Sequence, residues 1–339
     1  MKSNSVVCWL LICFCFFSLP GGGKTMTIVE TILQLLRRPR SSSNSHSSPT
    51  RLLVVTPSNT AADVIVERLS HEITQPNEMA RINAYQRHTG VRPKVQKYVY
   101  YDPLQTGHYG LPDIATLMSY PVVVMTVAMS GHLVDLNLPV GHFSHILFDE
   151  SCQALEPETF IPLCLAGPST AVILAGDHQQ LGADVHSGIA SGLGLKVSLQ
   201  ERLLHFDLYQ QSLAQPLHAV PCTTVRLTKN YRSHPSLLAI SSALFYEGTL
   251  QAYAERDVVN SLTRWNGLPN QKNFPLLFYG VIGQDIFEQE YSSFSNPIEA
   301  MQVVKLIQQL LASEVQPKVT TNDIGVIGQL KRVDKGKEK

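Results

Sequence analysis

The sequence predicts an α/β protein built on a parallel sheet with helices on both faces. Three observations carry that expectation. Short, nearly continuous apolar runs such as Arg51–Thr56, Val122–Thr126 and Ala171–Ala175 alternate with segments of helical period. A glycine-rich turn, Gly21-Gly22-Gly23-Lys24-Thr25, joins the first apolar run to the first helix. An acidic pair, Asp149-Glu150, closes another run. The 339 residues leave room for two domains, and 44% hydrophobic against 16% charged residues describes a globular chain with a sizeable core.

The N-terminal apolar run Val6–Phe17 has two readings. Lys2 followed by a run of this length resembles a secretory signal, although no small-x-small cleavage site follows and Pro20 sits where cleavage would fall. The run is too short to span a membrane as a helix. The same residues, rich in Cys, Phe, Ile and Leu, also suit a buried strand leading into the glycine turn. Thr25–Arg38 is then predicted as a helix, with Ile28, Ile32, Leu35 and Leu36 on one stripe and Pro39 ending it. Ser41–Pro49, nearly all Ser, Asn and His, reads as a surface loop. Asn59–His71 is the next predicted helix.

From Glu72 to Ser119 the periodicity is poor, with Tyr98, Tyr100 and Tyr101 clustered between Pro93 and Pro103, so residues 72–120 read as an insertion. Core strands are predicted again at Val122–Thr126, His145–Phe148 and Ala171–Ala175, and a helix at Gly194–His205. Pro216–Cys222 reads as a linker, giving a first domain over residues 1–218 and a second over 219–339. In the second, Phe274–Val281 and Ile324–Ile327 are expected strands and Pro297–Leu311 a helix. The charged tail Lys331–Lys339 reads as solvated.

Lys+Arg and Asp+Glu balance at 27 each, so no global basic field points to nucleic acid, although a locally basic groove fits a neutral chain. The six cysteines, Cys8, Cys13, Cys15, Cys152, Cys164 and Cys222, form no CxxC pair and no zinc-finger spacing, and read as reduced thiols.

Four motifs carry chemistry. In Pro20-Gly21-Gly22-Gly23-Lys24-Thr25, glycines let backbone N–H groups face phosphate oxygens, a lysine adds charge, and a hydroxyl suits Mg²⁺. Asp149-Glu150 at a strand end suits one carboxylate on Mg²⁺ and a second that orients an attacking water. Leu174-Ala175-Gly176-Asp177-His178-Gln179-Gln180-Leu181 is a strand followed by a polar turn. Asn230-Tyr231-Arg232-Ser233-His234-Pro235 offers a planar guanidinium to a transferring phosphate. Each alone also reads blandly, as a glycine-rich turn, a capping acidic pair or an Asp turn; four in series are far more specific.

With these residues in order, and with Thr56-Pro57-Ser58-Asn59-Thr60-Ala61-Ala62-Asp63 and Leu244-Phe245-Tyr246-Glu247-Gly248, the sequence resembles superfamily-1 helicases of the up-frameshift and Armitage type, most of all their helicase-with-zinc-finger branch. The resemblance runs from about Pro20 to Ile327. It implies a RecA-like P-loop NTPase domain followed by part of a second RecA-like domain. It also implies an ATP-dependent RNA helicase, cytoplasmic, moving 5′ to 3′ on single-stranded RNA. Protein partners in RNA-processing or silencing complexes, and no stable membrane association, follow from the same likeness.

The resemblance assigns roles residue by residue. Gly21, Gly23, Lys24 and Thr25 would bind the phosphates of ATP, and Thr25 and Asp149 the Mg²⁺. Glu150 would be the general base and Gln153 its phosphate-sensing neighbour. Gln180 would couple the ATP state to the grip on RNA. Tyr231 would stack on adenine and Arg232 contact the γ-phosphate. Pro57, Ser58, Asn59 and Thr126 would touch the nucleic-acid backbone. Departures from the pattern are equally definite. Ser18, Leu19 and Gly22 differ from the family's Gly-Pro-Pro-Gly-Thr-Gly-Lys-Thr loop, and Gly328-Gln329-Leu330 stands where the family continues Thr-Pro-Tyr. An incomplete motor core is therefore expected, with a non-catalytic nucleotide- and RNA-binding module as the alternative.

Overall fold

The computed structural model describes residues 13–17, 21–38, 49–87, 90–102, 107–214, 223–269, 274–288 and 293–328. It divides into two compact units, Met1–Lys229 and Asn230–Lys339.

The first unit is built on a seven-stranded parallel sheet. Its strands are β1 (Cys13–Phe17), β2 (Leu52–Thr56), β3 (Met79–Arg81), β4 (Val122–Thr126), β5 (His145–Asp149), β6 (Ala171–Gly176) and β7 (Thr224–Arg226), in the order β3-β4-β2-β5-β6-β1-β7. The apolar runs are continuous because both faces of the sheet are covered. Leu52 and Val54 pack with Ile28, Ile32, Ala62, Ile65 and Leu69 of helices α1 (Lys24–Arg37) and α2 (Asn59–Leu69). Leu53 and Val55, pointing the other way as pleating requires, pack with Phe143, Ile146, Phe148, Leu165, Leu174 and Leu199. A strand with no solvent face has no polar alternation to show.

The predicted strands β2, β4, β5 and β6 and helices α1 and α2 form with ends within two residues of expectation. Residues 13–17 of the N-terminal run are a sheet strand, hydrogen-bonded to β6 on one side and β7 on the other. The rest of that run, the expected loop at 41–49 apart from Pro49, the linker at 216–222 and the tail at 331–339 lie outside the described residues. Among the described residues no helix is long and apolar enough to cross a membrane.

Three expectations need correction. The stretch 72–120 is not wholly separate from the core, because its residues Met79–Arg81 pair with Val122–Val124 as the sheet's edge strand β3. The helix expected over 194–205 is shorter, Leu199–Leu204. Gly194 has φ +96, a left-handed backbone that no α-helix accommodates, and the Ser198 Oγ caps the real start by accepting from the Glu201 N–H at 3.2 Å. Residues 274–281 and 324–327 of the second unit are not strands; no neighbour among the described residues pairs with them, and Phe278 and Ile327 are 92% and 99% exposed.

Within the second unit, helices Pro235–Phe245 and Pro297–Leu311 form with proline in the first turn and side-chain caps from His234 and Asn296. Its Ile286–Glu288 and Ser293–Ser295 make a two-stranded antiparallel pair.

Candidate nucleotide-binding site

The parallel topology brings the loop after β1 and the end of β5 to the carboxyl edge of the sheet, where ligands of such folds bind. Gly21 and Gly23 have φ +87 and +88, conformations open to glycine and strained for other residues, so the chain turns sharply before α1 begins at Lys24. The turn leaves the N-terminal N–H groups of a fourteen-residue helix facing the site.

Lys24 is the informative side chain. It is only 7% exposed, and among the described residues its ammonium makes no hydrogen bond. The nearest counter-charge is Glu150 Oε2 at 3.6 Å. A buried ammonium costs several kcal/mol unless paired and hydrogen-bonded, so an unbonded one suits an anion that brings hydrogen-bond acceptors. Beside it, the Thr25 hydroxyl donates to Asp149 Oδ2 at 3.0 Å. That hydroxyl and carboxylate are the hard oxygen donors that Mg²⁺ takes together with waters and phosphates. Among the described residues no group of three His, Cys, Asp or Glu is placed to cage a metal, and an ion held mainly by phosphates needs none.

Glu150 sits at φ 55, ψ 38, a left-handed conformation that costs a non-glycine residue energy. Its N–H donates to Asp149 Oδ1 at 3.1 Å, and Gln153 Nε2 donates to its Oε2 at 3.4 Å. This backbone turn lets adjacent residues both serve the site, where an extended strand would send them to opposite faces.

Burial pushes the Asp149 carboxyl up to about 6, with the Glu150 charge adding to it and the Thr25 hydrogen bond and Lys24 opposing. The folded protein therefore holds a proton that the unfolded chain releases near 3.8. Stability from this group is present at low pH and is lost as pH rises from about 4 through about 6, on the order of 3 kcal/mol. With divalent ions chelated, thermal midpoints should gain less or lose more with rising pH across that window in the wild type than in Asp149→Asn, because the lowered His142, His145 and His178 add the same opposite slope to both. Equal slopes in both proteins would show that Asp149 is not protonated in the fold.

Beyond β6, Asp177 is buried, and its carboxylate accepts from Gln180 Nε2 and from the Gln179 N–H at 3.0 Å. Gly176, the last residue of β6, is required by close packing. A Cβ built there would lie 2.4 Å from Gln200 Oε1 and 2.8 Å from Cys152 Sγ and Ser151 Oγ, the two residues that follow Glu150. The Ser151 hydroxyl in turn donates to Gln200 Oε1. Gly176→Ala should therefore cost about 1–3 kcal/mol by overpacking, read as a lowered denaturation midpoint. An unchanged midpoint would mean that the Gln200 side chain moves aside freely. Gln200 escaped the sequence reading, its only signal being an amide among the leucines of 199–204.

The other expected site residues fall in two groups. Thr56 and Thr126 are register partners at the ends of β2 and β4, which puts the Pro57-Ser58-Asn59 loop on the same edge of the sheet. Ser58 Oγ caps α2 by accepting from the Ala61 N–H at 3.2 Å, while Thr126 is buried and its Oγ1 accepts from the Met129 N–H at 3.4 Å. Tyr231 and Arg232 belong to the second unit. There Tyr231 is exposed beside Tyr253, ring centroids 6.0 Å apart, and the Arg232 N–H donates to Asn230 Oδ1 at 3.0 Å. The structure thus brings Lys24, Thr25, Asp149, Glu150 and Gln153 together, and Gln180 with Asp177.

Two families, each described as an AAA domain, match the chain, one over residues 14–107 and 114–188 and the other over 198–333. The RNA helicase Mov10l1 of Homo sapiens is 38% identical over 321 residues, 93% of this chain and 25% of that protein. The putative helicase MOV-10 of Gallus gallus is 36% identical over 335 residues, 94% of this chain and 33% of that protein. The probable helicase with zinc finger domain of Homo sapiens is 34% identical over 298 residues, 86% of this chain and 14% of that protein. The chain spans a third or less of the length of these relatives.

Proposed function

We propose, for a chain that belongs to the superfamily-1 helicases of the up-frameshift and Armitage type, that it binds ATP with Mg²⁺ and couples ATP hydrolysis to movement on single-stranded RNA. The observation that carries this reading is the buried, unbonded ammonium of Lys24 beside the Thr25–Asp149 pair. The β- and γ-phosphates supply the acceptors that Lys24 lacks, and the glycine turn and helix N-terminus supply further donors. Thr25 and Asp149 would hold Mg²⁺, which would supply charge neutralisation at the phosphates. Glu150 takes the proton of the attacking water, its carboxylate turned into the site by the left-handed backbone.

Two further roles are carried over from the family under this reading. Tyr231 stacks on the adenine and Arg232 stabilises charge on the γ-phosphate. Gln180, tied to Asp177, links nucleotide state to RNA grip. Pro57, Ser58, Asn59 and Thr126 meet the RNA backbone, so recognition depends little on sequence. RNA, rather than DNA, is favoured because the human relative named above is called an RNA helicase.

The test is steady-state ATP hydrolysis by the purified chain with and without single-stranded RNA. RNA-stimulated turnover that needs Glu150 supports a working motor. ATP binding without turnover would replace it by a module that holds nucleotide and RNA and performs no chemistry.

A further inference from the structure

A buried ionic cluster that ties β3 to α2 lies behind the Pro57-Ser58-Asn59 loop. Arg81, at the end of edge strand β3, is fully buried. Its Nε donates to Asp63 Oδ1 at 3.0 Å and its Nη1 to the Ile82 carbonyl. Arg87 closes on the same carboxylate, with Nη2 2.6 Å from Oδ2 and Nη1 3.0 Å from Oδ1. Asp63 stands one turn along α2 from Asn59. Two guanidiniums thus meet one carboxylate, and Arg81 turns its remaining nitrogen to Asn59, with Nη2 3.5 Å from its carbonyl oxygen and 2.8 Å from its Oδ1.

That last bond has a directional consequence. A guanidinium only donates, so it accepts one orientation of the Asn59 carboxamide, oxygen inward. The two N–H donors of Nδ2 are then left to acceptors other than Arg81. Phosphate oxygens only accept, so this is the orientation that a nucleic-acid backbone can use. A carboxamide turned the other way would present an acceptor to an anion. Burial depresses Arg81 to about 10, with Asp63 holding it up, so it stays charged at neutral pH and the bias persists.

We propose that Arg81 is a positioning residue for single-stranded RNA binding. Anchored by Asp63 and Arg87, it fixes the polarity of the Asn59 side chain so that Nδ2 donates to a backbone phosphate. The proposal rests on the reading of Pro57-Ser58-Asn59 as a backbone-contacting loop. An ordinary strut between β3 and α2 would matter to folding and leave oligouridine affinity independent of Asn59.

The test uses the full chain and a fluorescent single-stranded oligouridine, with thermal unfolding as the check on folding. Asn59→Asp keeps an acceptor for Arg81 and removes the Nδ2 donors. Its unfolding midpoint should hold or rise while oligouridine affinity falls about tenfold or more. Arg81→Lys retains the charge with a single point donor that cannot serve Asp63 and Asn59 as the fork does. It should weaken oligouridine binding severalfold in the wild-type background and have no further effect in Asn59→Ala. If Asn59→Ala binds oligouridine as the wild type does, the loop reading fails and the proposal with it. If Asn59→Ala loses affinity and Arg81→Lys subtracts the same factor with or without Asn59, the loop reading stands and the positioning role is overturned. Should Arg81→Lys not fold, Asn59→Asp decides alone, and unchanged affinity in that variant overturns the proposal.

Discussion

Lys24→Met is expected to weaken ATP binding at least 100-fold and, in the same protein, to raise the thermal midpoint measured without nucleotide. The two effects have one cause. Among the described residues the buried ammonium makes no hydrogen bond, and its charge is offset by Glu150 Oε2 at 3.6 Å and by the nearby Asp149 carboxyl. Removing the unbonded buried ammonium relieves its desolvation cost, about several kcal/mol, against a smaller loss of attraction to Glu150 and Asp149. Glu150 suffers little from losing this neighbour, because its side chain keeps 26% exposure and remains hydrated. With ATP present the balance reverses. Each charge-assisted hydrogen bond to phosphate contributes about 1.5–3 kcal/mol, and two of them account for a loss of 100-fold or more. Calorimetric titration with ATP and thermal scans with and without it measure both halves. A variant that is less stable and still binds ATP would make Lys24 a structural residue and remove the main support for the nucleotide reading.

The same contrast between a side chain's type and its surroundings decides what the sequence could and could not disclose. Strands β2, β4, β5 and β6 were legible because a strand buried on both faces is an apolar run, and Leu52–Val55 and Val122–Met125 are that without interruption. Edge strand β3 was not, because its Met79-Ala80-Arg81 ends in a charge whose neutralising partner, Asp63, is eighteen residues earlier on another element. Strand β7 is three residues after a stretch that reads as linker. In the site, residue types and order disclosed Lys24, Thr25, Asp149 and Glu150, since phosphate and Mg²⁺ chemistry restricts which side chains serve. Their state was invisible. Nothing in the letters Asp-Glu says that the second residue is left-handed, that the first is pushed up to about 6, or that the ammonium nearby lacks a hydrogen bond. Those follow from burial and backbone geometry, which arise only when distant strands pair. The expected strands at 274–281 and 324–327 show the converse: apolar composition permits a strand, and a hydrogen-bonded neighbour makes one.

Glu150→Gln should lower the turnover number for ATP about 10²–10⁴-fold, the usual contribution of a positioned general base, with ATP affinity retained or increased. Glutamine keeps the size of the side chain and pays the same left-handed backbone cost, so the turn that carries Asp149 and Gln153 is preserved. What changes is charge. A negative group near the γ-phosphate disappears, which favours binding, and the water loses its proton acceptor, which stops the reaction. The substitution also has a signature away from the chemistry. The Glu150 charge is the second cause that pushes Asp149 up, after burial, so its removal should bring the Asp149 carboxyl below about 6. The loss of apo stability with rising pH, set by Asp149, should then begin and end at lower pH in Glu150→Gln, by the linkage that governs the wild type. Turnover and the pH dependence of unfolding are independent readouts of one carboxylate. A fall in turnover with the pH window unmoved would mean that Glu150 acts on the water yet stands farther from Asp149 than their shared turn places it. Unchanged turnover with a shifted window would keep the electrostatics and move the role of base to another group.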